Sequence, residues 1–164
     1  MNLLPASALI PTLNAAATLP ATLAALRGSV AEIIISDCGS TDGTPDIARE
    51  HGALVIPAAR GRGVQLRAAA EAATQPWLLA LHADTKPGPG WQAAIADFIA
   101  RPAAAAQAGY FRFTLNDPAP EARRLEAMVA WRCRWLGLPY GDQGLLIGRD
   151  FYRALGGYEA IPLM

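Results

Sequence analysis

Four short polar clusters carry the residues able to do chemistry: Thr12-Leu13-Asn14, Asp37-Cys38-Gly39-Ser40-Thr41-Asp42, Arg60-Gly61-Arg62 and His82-Ala83-Asp84. Asp37 follows the run Ile33-Ile34-Ile35-Ser36. A carboxylate there can accept a hydrogen bond from an imide or amide N–H of a nucleobase, and Gly39 and Gly43 let the backbone turn closely around such a ligand. The same residues fit a plainer role, with Asp37 opening an Asx turn and Ser40, Asp42 and Thr44 capping the next helix. Asp84, ahead of Lys86-Pro87-Gly88-Pro89-Gly90, suits a divalent cation bridging diphosphate oxygens, because Mg²⁺ takes only one or two protein carboxylates. His82 points to the same side of its strand as Asp84, and an imidazole shifts the preference towards Mn²⁺. The plainer alternative is a satisfied histidine at a sheet edge and a turn aspartate. Arg60 and Arg62 offer forks that match phosphate geometry, flanked by glycines that expose backbone N–H groups, although surface arginines are common.

These clusters need elements to hold them, and the hydrophobic pattern supplies strands alternating with helices, the signature of a parallel sheet with crossover helices. The spacing predicts strands over 6–10 (closed by Pro11), 32–36, 53–56 and 77–81, and helices over 19–27, 45–51 and 91–100. Residues 61–63 read as a flexible loop opening a helix through Ala73. Thr44-Pro45 reads as an N-cap followed by proline at the first helical position. Further on, 108–115 alternates as a strand with one face less apolar than the other. A helix over 121–136, a strand over 144–147 and a short helix over 149–155 complete the chain. Each polar cluster then falls at a strand end, where ligands bind in open α/β sheets, so one shared pocket would gather all four.

The 164 residues (17.3 kDa) are 52% hydrophobic and 17% charged, with 14 basic against 14 acidic residues. That suffices for one domain, 1–164, with its own core. The neutral balance lacks the basic excess that nucleic-acid backbones demand. Cys38 and Cys133 form no CxxC pair, which points away from a zinc site or disulfide framework and towards a reducing cytosol. No signal peptide or long apolar span is expected from the N-terminus or elsewhere. There is no GxxxxGK[ST], no complete dinucleotide fingerprint and no GxSxG elbow. His82-Ala83-Asp84-Thr85 has histidine where an aspartyl-phosphate phosphatase needs its nucleophile.

Ala8-Leu9-Ile10-Pro11-Thr12-Leu13-Asn14, then the segment from Glu32 through Ser36-Asp37-Cys38-Gly39-Ser40-Thr41-Asp42-Gly43-Thr44, then Leu79-Ala80-Leu81-His82-Ala83-Asp84, resemble in order and separation the three motifs of glycosyltransferase family 2. Gly141-Asp142-Gln143-Gly144 and Phe151-Tyr152-Arg153-Ala154-Leu155-Gly156-Gly157-Tyr158 resemble the LGGF region that precedes its catalytic acidic motif. The resemblance implies a GT-A fold, a three-layer sandwich with a mostly parallel central sheet. It implies a nucleoside-diphosphate-sugar donor held through a divalent cation, Mn²⁺ or Mg²⁺, and an inverting transfer to an acceptor. By motif position Pro11, Thr12 and Asn14 line the nucleotide pocket, Asp37 takes the base, Ser40 and Asp42 support that loop, and Arg60 reaches base or phosphates. Asp84 holds the metal; His82 replaces the leading aspartate of the metal motif as its second candidate ligand.

The family's general base is expected just beyond Met164, which leaves Asp142 as the acceptor-side carboxylate, either catalytic, acceptor-binding or part of an ordinary turn. The rival expectation is a nucleotide-sugar-binding or interaction module that lacks the base. The helix over 121–136, with Arg123, Arg124, Arg132 and Arg134 beside Trp131 and Trp135, suits either snorkelling arginines on a core helix or contact with a membrane surface. The second option fits a lipid-linked acceptor and a cytoplasmic enzyme at the inner face of the membrane.

Overall fold

Leucine- and isoleucine-rich runs alternating with alanine-rich helices build three layers. The computed structural model describes residues 3–115, 117–137 and 143–159. The elements are β1 (Leu4–Thr12), α1 (Leu19–Leu26), β2 (Val30–Asp37), α2 (Thr44–Glu50), β3 (Leu54–Pro57), α3 (Arg62–Ala72) and β4 (Trp77–Ala80). There follow α4 (Trp91–Ile99), a 3₁₀ turn (Pro102–Ala106), β5 (Ala108–Gly109), α5 (Pro120–Leu136), β6 (Leu145–Gly148) and α6 (Arg149–Ala154). The sheet order is β3-β2-β1-β4-β6-β5. The first four strands are parallel, and β6 runs antiparallel to both β4 and β5.

The chain steps from β1 to β2 to β3 in one direction, then returns across β1 to place β4 on its other side. Crossovers between parallel strands are right-handed, so reversing direction moves the connecting helix to the opposite face. Accordingly Leu19, Leu23 and Leu26 of α1 and Ala48 of α2, with Trp91 and Ile95 of α4, pack on one face with Ala8, Ile10, Ile35 and Leu79. Leu66, Ala69 and Ala70 of α3 and nearby Ala73 cover the other face against Leu9, Ile34, Leu78 and Ile147. At the amino end of the sheet, Glu32 accepts from Ser7 Oγ, from the Thr74 amide (3.0 Å) and from Thr74 Oγ1 (3.1 Å), fastening the turn into β4.

The structure departs from the sequence expectation at four places. Pro11 does not close β1, which runs on to Thr12. β1 pairs with β4 only as far as Leu9, whose carbonyl accepts from Leu81, so the missing N–H of Pro11 falls on a side where the ladder has already ended. Gly43, with φ 85°, takes the N-cap position, and Thr44 is the first helical residue. Its hydroxyl is turned to the β1 loop and cannot serve as the helix cap. Arg62 and Gly63 belong to α3, so only Gly61, at φ 135°, is outside the helix.

Finally, the strand expected over 108–115 is two residues long. β6 begins at Leu145, so beyond the Gly109–Leu146 pair there is no strand left to join. Residues 110–115 run on as irregular chain, held by the Phe111 amide on the Gln143 carbonyl (2.9 Å) and the Leu115 amide on Glu126 (2.7 Å). Among the described residues no helix is long and apolar enough to cross a membrane.

Gly144 makes that departure from β6 possible. It has φ +66°, and a Cβ there would sit 3.0 Å from Leu81 Cδ2, 3.1 Å from Phe111 Cδ2 and 3.2 Å from the Ala80 carbonyl oxygen. Gly144→Ala is expected to cost about 1–3 kcal/mol through backbone strain and overpacking. Urea unfolding checks this, and an unchanged midpoint would contradict it.

Candidate functional site

The chain reverses direction at β1, which lies between β2 and β4, and the loops after these strands sit at the carboxyl end of the sheet, where open α/β sheets bind ligands. Two of the four polar clusters interlock there. Thr12 Oγ1 donates to Asp37 Oδ1 (2.8 Å), the Asn14 amide to Ser40 Oγ (2.8 Å), and the Thr41 amide to Asn14 Oδ1 (2.9 Å). The amides of Ala15 and Ala16 donate to Thr44 Oγ1 (2.8 Å) and Asp42 Oδ2 (2.9 Å). Asn14 holds φ 51°, a left-handed conformation that asparagine tolerates better than most residues. Pro11, half-buried, lies opposite Ser36 in the sheet register immediately below.

Asp37 is the hub. Besides Thr12, Ser40 Oγ donates to Oδ1 (2.5 Å), and the amides of Gly39 (3.0 Å) and Ser40 (2.8 Å) donate to Oδ2. A carboxylate has about four acceptor sites, and here all are in use. Burial alone would push the Asp37 carboxyl up. The hydrogen bonds from Ser40, Thr12 and Gly39 outweigh it and hold the group below its ordinary value of 3.8. The Asp42 carboxyl is also lowered, by the Thr44 hydroxyl (2.5 Å) and the Ala16 amide. The plainer reading of this loop describes its hydrogen bonds: Asp37 and Asp42 organise the turns after β2.

Beneath these turns lies a residue that sequence reasoning missed. Gln65 of α3 is buried, and its Nε2 donates to the carbonyls of Thr12 (2.9 Å) and Ser36 (2.7 Å), tying the ends of β1 and β2 together from the other face. The signal was one amide one turn before Ala69 on an otherwise apolar face.

The fourth cluster lines an open cleft of about 860 Å³, shared with the 86–90 loop, Trp91, residues 111–115 and Gln143. This volume falls within the range of small-molecule sites. Thr22 Oγ1 of α1 donates to the Ala83 carbonyl (2.8 Å), and Thr85 Oγ1 accepts from the His82 amide (3.0 Å), which fixes the loop carrying Asp84. Asp84 itself is exposed and has no hydrogen-bond partner among the described residues. His82 Nε2 meets the Arg62 guanidinium, so the third cluster touches the fourth through Arg62. Arg60 is exposed in the loop after β3 and lines neither the cleft nor the Asp37 hub. The expected single pocket is thus divided: Thr12, Asn14, Asp37, Ser40 and Asp42 form a hydrogen-bonded rim, while His82 and Asp84 line the cleft. Asp142 lies outside the described residues.

The far wall of the cleft is clamped by α5. Glu126, buried, accepts from the Leu115 amide (2.7 Å) and from Arg123 (2.7 Å), and Arg123 also donates to the carbonyls of Leu115 (2.8 Å) and Asp117 (2.6 Å). Gln143 bridges Cys133 Sγ (3.2 Å) and the Phe111 carbonyl (3.2 Å). Among the described residues no three His, Cys, Asp or Glu side chains converge, so a cation here would take most of its ligands from substrate and water.

A six-stranded, mostly parallel sheet between two helical layers, with its reversal at β1, is the GT-A fold. The chain belongs to glycosyl transferase family 2, whose profile matches residues 7–152. No curated protein matches it. Among solved structures it is similar to glucosyl-3-phosphoglycerate synthase from Mycobacterium tuberculosis in complex with UDP, at 22% identity and a TM-score of 0.64. The same enzyme with Mn²⁺, UDP and glucosyl-3-phosphoglycerate gives 22% and 0.64, and with Mg²⁺ and UDP 22% and 0.63. In the first two cases the match covers 88% of this chain and 57% of that one, so the chain spans little more than half the length of these structures.

The lowered Asp37 carboxyl has a consequence for stability. Its contribution is complete well above 3.8 and is lost as pH falls through that value and then through the folded one. Asp37→Asn is expected to lower stability at pH 7 by about 1–3 kcal/mol and to flatten the acid-side decline. Unfolding free energies measured from neutral to acid pH check this; parallel curves for the two proteins would contradict it.

Proposed function

We propose that this chain binds the donor for the transfer of a sugar from a nucleoside-diphosphate sugar to an acceptor hydroxyl. The observation that carries the proposal is the juxtaposition of a preorganised β1–β2 rim with an open cleft that presents the unpartnered carboxylate of Asp84. Family membership and the UDP complexes of the similar structures support it.

In this reading the nucleoside rests on the rim formed by Pro11, Thr12, Asn14, Asp37 and Ser40, with Asp42 bracing the loop. All acceptor sites of Asp37 are occupied, so pairing with a base N–H means displacing one donor. The hydroxyls of Thr12 and Ser40 can rotate away, whereas the Gly39 and Ser40 amides are fixed by the turn. Arg60 serves the phosphates from the neighbouring loop. Asp84 is the oxygen ligand for a divalent cation, Mn²⁺ or Mg²⁺, which when bound neutralises diphosphate charge. His82 is the second candidate ligand, but its Nε2 faces Arg62, which leaves Asp84 as the better fit.

The acceptor enters the cleft between the 86–90 loop and the wall at 111–115. The transfer is a single inverting displacement. A general base that takes the acceptor hydroxyl's proton contributes about 10²–10⁴-fold to such a step. The two free cysteines suit a cytoplasmic enzyme.

Calorimetry with UDP-, GDP- and dTDP-sugars, with and without Mn²⁺, tests the reading. At least one donor is expected to bind in a metal-dependent manner, and Asp84→Ala is expected to weaken that binding by about tenfold or more. Released nucleoside diphosphate reports turnover. Failure of every donor to bind, or binding indifferent to both metal and Asp84→Ala, would overturn the proposal.

A further inference from the structure

We infer that the acceptor carries an anionic group, a phosphate or a carboxylate, held between Lys86 and Arg112. The inference rests on the reading of the open cleft as the acceptor's entrance. Both residues line that cleft, Lys86 from the 86–90 loop and Arg112 from the wall at 111–115. Both are exposed, and neither has an ion-pair or hydrogen-bond partner among the described residues. Their backbones are set beforehand. The Phe111 amide donates to the Gln143 carbonyl (2.9 Å), Gln143 Nε2 donates to the Phe111 carbonyl (3.2 Å), and the Leu115 amide is held by Glu126 (2.7 Å), so Arg112 sits between anchored neighbours. Exposure alternates along this wall, with Phe111, Phe113 and Leu115 half-buried and Arg112 and Thr114 exposed. In the other loop the Thr85 amide donates to the His82 carbonyl (3.2 Å) and the Trp91 amide to the Gly88 carbonyl (3.3 Å). The rings of Pro87 and Pro89 fix φ between them.

The charges decide what the cleft accepts. Among the described residues its ionised lining groups are Asp84, Lys86 and Arg112, and the His82 ring meets a further cation, Arg62. Glu126, the acid bonded to the 111–115 wall, is paired with Arg123 and does not offset Arg112. Without a donor, Asp84 offsets one of the two lining cations and the other is left over. With a donor, the Asp84 carboxylate, a divalent cation and a doubly negative diphosphate sum to one negative charge, which again offsets only one of the two. The positive surplus therefore persists through donor binding, and a cleft concentrates such a field on small charged molecules. A neutral acceptor would strip water from these cations without replacing its hydrogen bonds. A phosphate or carboxylate accepts from both the guanidinium fork and the ammonium. The chain has no net charge overall, so the surplus is local to the cleft and not a property of the whole molecule.

Lys86 is the only lysine in the chain, so reductive ¹³C-methylation places one lysine reporter in the cleft and keeps its charge. Glycerol 3-phosphate, glycerate and glycerol are titrated at constant ionic strength, with and without UDP and Mn²⁺, while the Lys86 methyl signal and the Arg112 amide are followed. Both anions are expected to shift both signals saturably in either condition, and glycerol to shift neither. Arg112→Gln, read at the Lys86 methyl signal, and Lys86→Gln, read at the Arg112 amide, should each weaken anion binding about tenfold. Both side chains are exposed, and the remaining amide spectrum checks that each variant is folded. A monomeric short-chain phosphatidate identifies the source: binding tighter than that of glycerol 3-phosphate supports a lipid-linked anion, and weaker binding supports a soluble one. Donor calorimetry with Asp84→Ala is read separately, so failure of the donors to bind sinks the donor reading and failure of the anions to bind sinks this one. No saturable shift, a response to glycerol equal to that of the anions, or anions displaced by UDP and Mn²⁺ would overturn the proposal; the last outcome would assign the two cations to the donor diphosphate.

Discussion

The carboxylate of Asp37 joins two βα units that the chain builds separately. β1 and β2 are held side by side by their ladder, but the ladder ends at Thr12 and Asp37, and beyond it each loop is on its own. Donors from both loops converge on this one group: a hydroxyl from the β1 end, and a hydroxyl and two amides from its own turn. Amides aimed at a carboxylate also leave their carbonyls and neighbouring side chains in fixed directions, so Asn14, Ala15 and Ala16 find Ser40, Thr41, Thr44 and Asp42 already in place. A rim so constrained can receive a rigid ligand without first losing loop entropy.

The remainder of the site depends on topology more than on any single contact. Because β4 lies on the far side of β1 from β2, the loop carrying His82 and Asp84 is fed to the same end of the sheet by a helix on the opposite face. Gln65 on that helix reaches through to the ends of β1 and β2. One element therefore sets both the rim and the spacing between rim and cleft. The cleft's outer wall is irregular chain, and its shape is imposed by the Arg123–Glu126 pair and Gln143 where the sheet has no strand to offer.

Most of the strand and helix pattern was legible in the sequence, since β-branched runs and alanine-rich helices leave strong periodic signals. The family was legible too, in three motifs whose order survives even with histidine at position 82. What could not be read were features decided by distant partners. The length of β1 past Pro11 depends on where β4 stops, and the fate of residues 110–115 depends on where β6 starts. The contact that ties the Arg60–Arg62 cluster to the His82–Asp84 cluster depends on Arg62 turning to His82. The saturation of Asp37 was half visible, since an Asx turn was the alternative reading of that motif. The role of Gln65 was hidden because a single amide on an apolar helix has no local partner to announce it.

The central claim is that the Asp37 carboxylate holds the rim together, and amide hydrogen exchange at Gly39 and Ser40 tests it most directly. Both amides lie in an irregular segment, and Gly39 is exposed, yet each is bonded to the carboxylate. They are predicted to exchange far more slowly than free loop amides near neutral pH, and to lose that protection in Asp37→Ala while the amides of Ile34 and Leu79 keep theirs. Fast exchange at Gly39 and Ser40 in the unaltered protein would contradict the account.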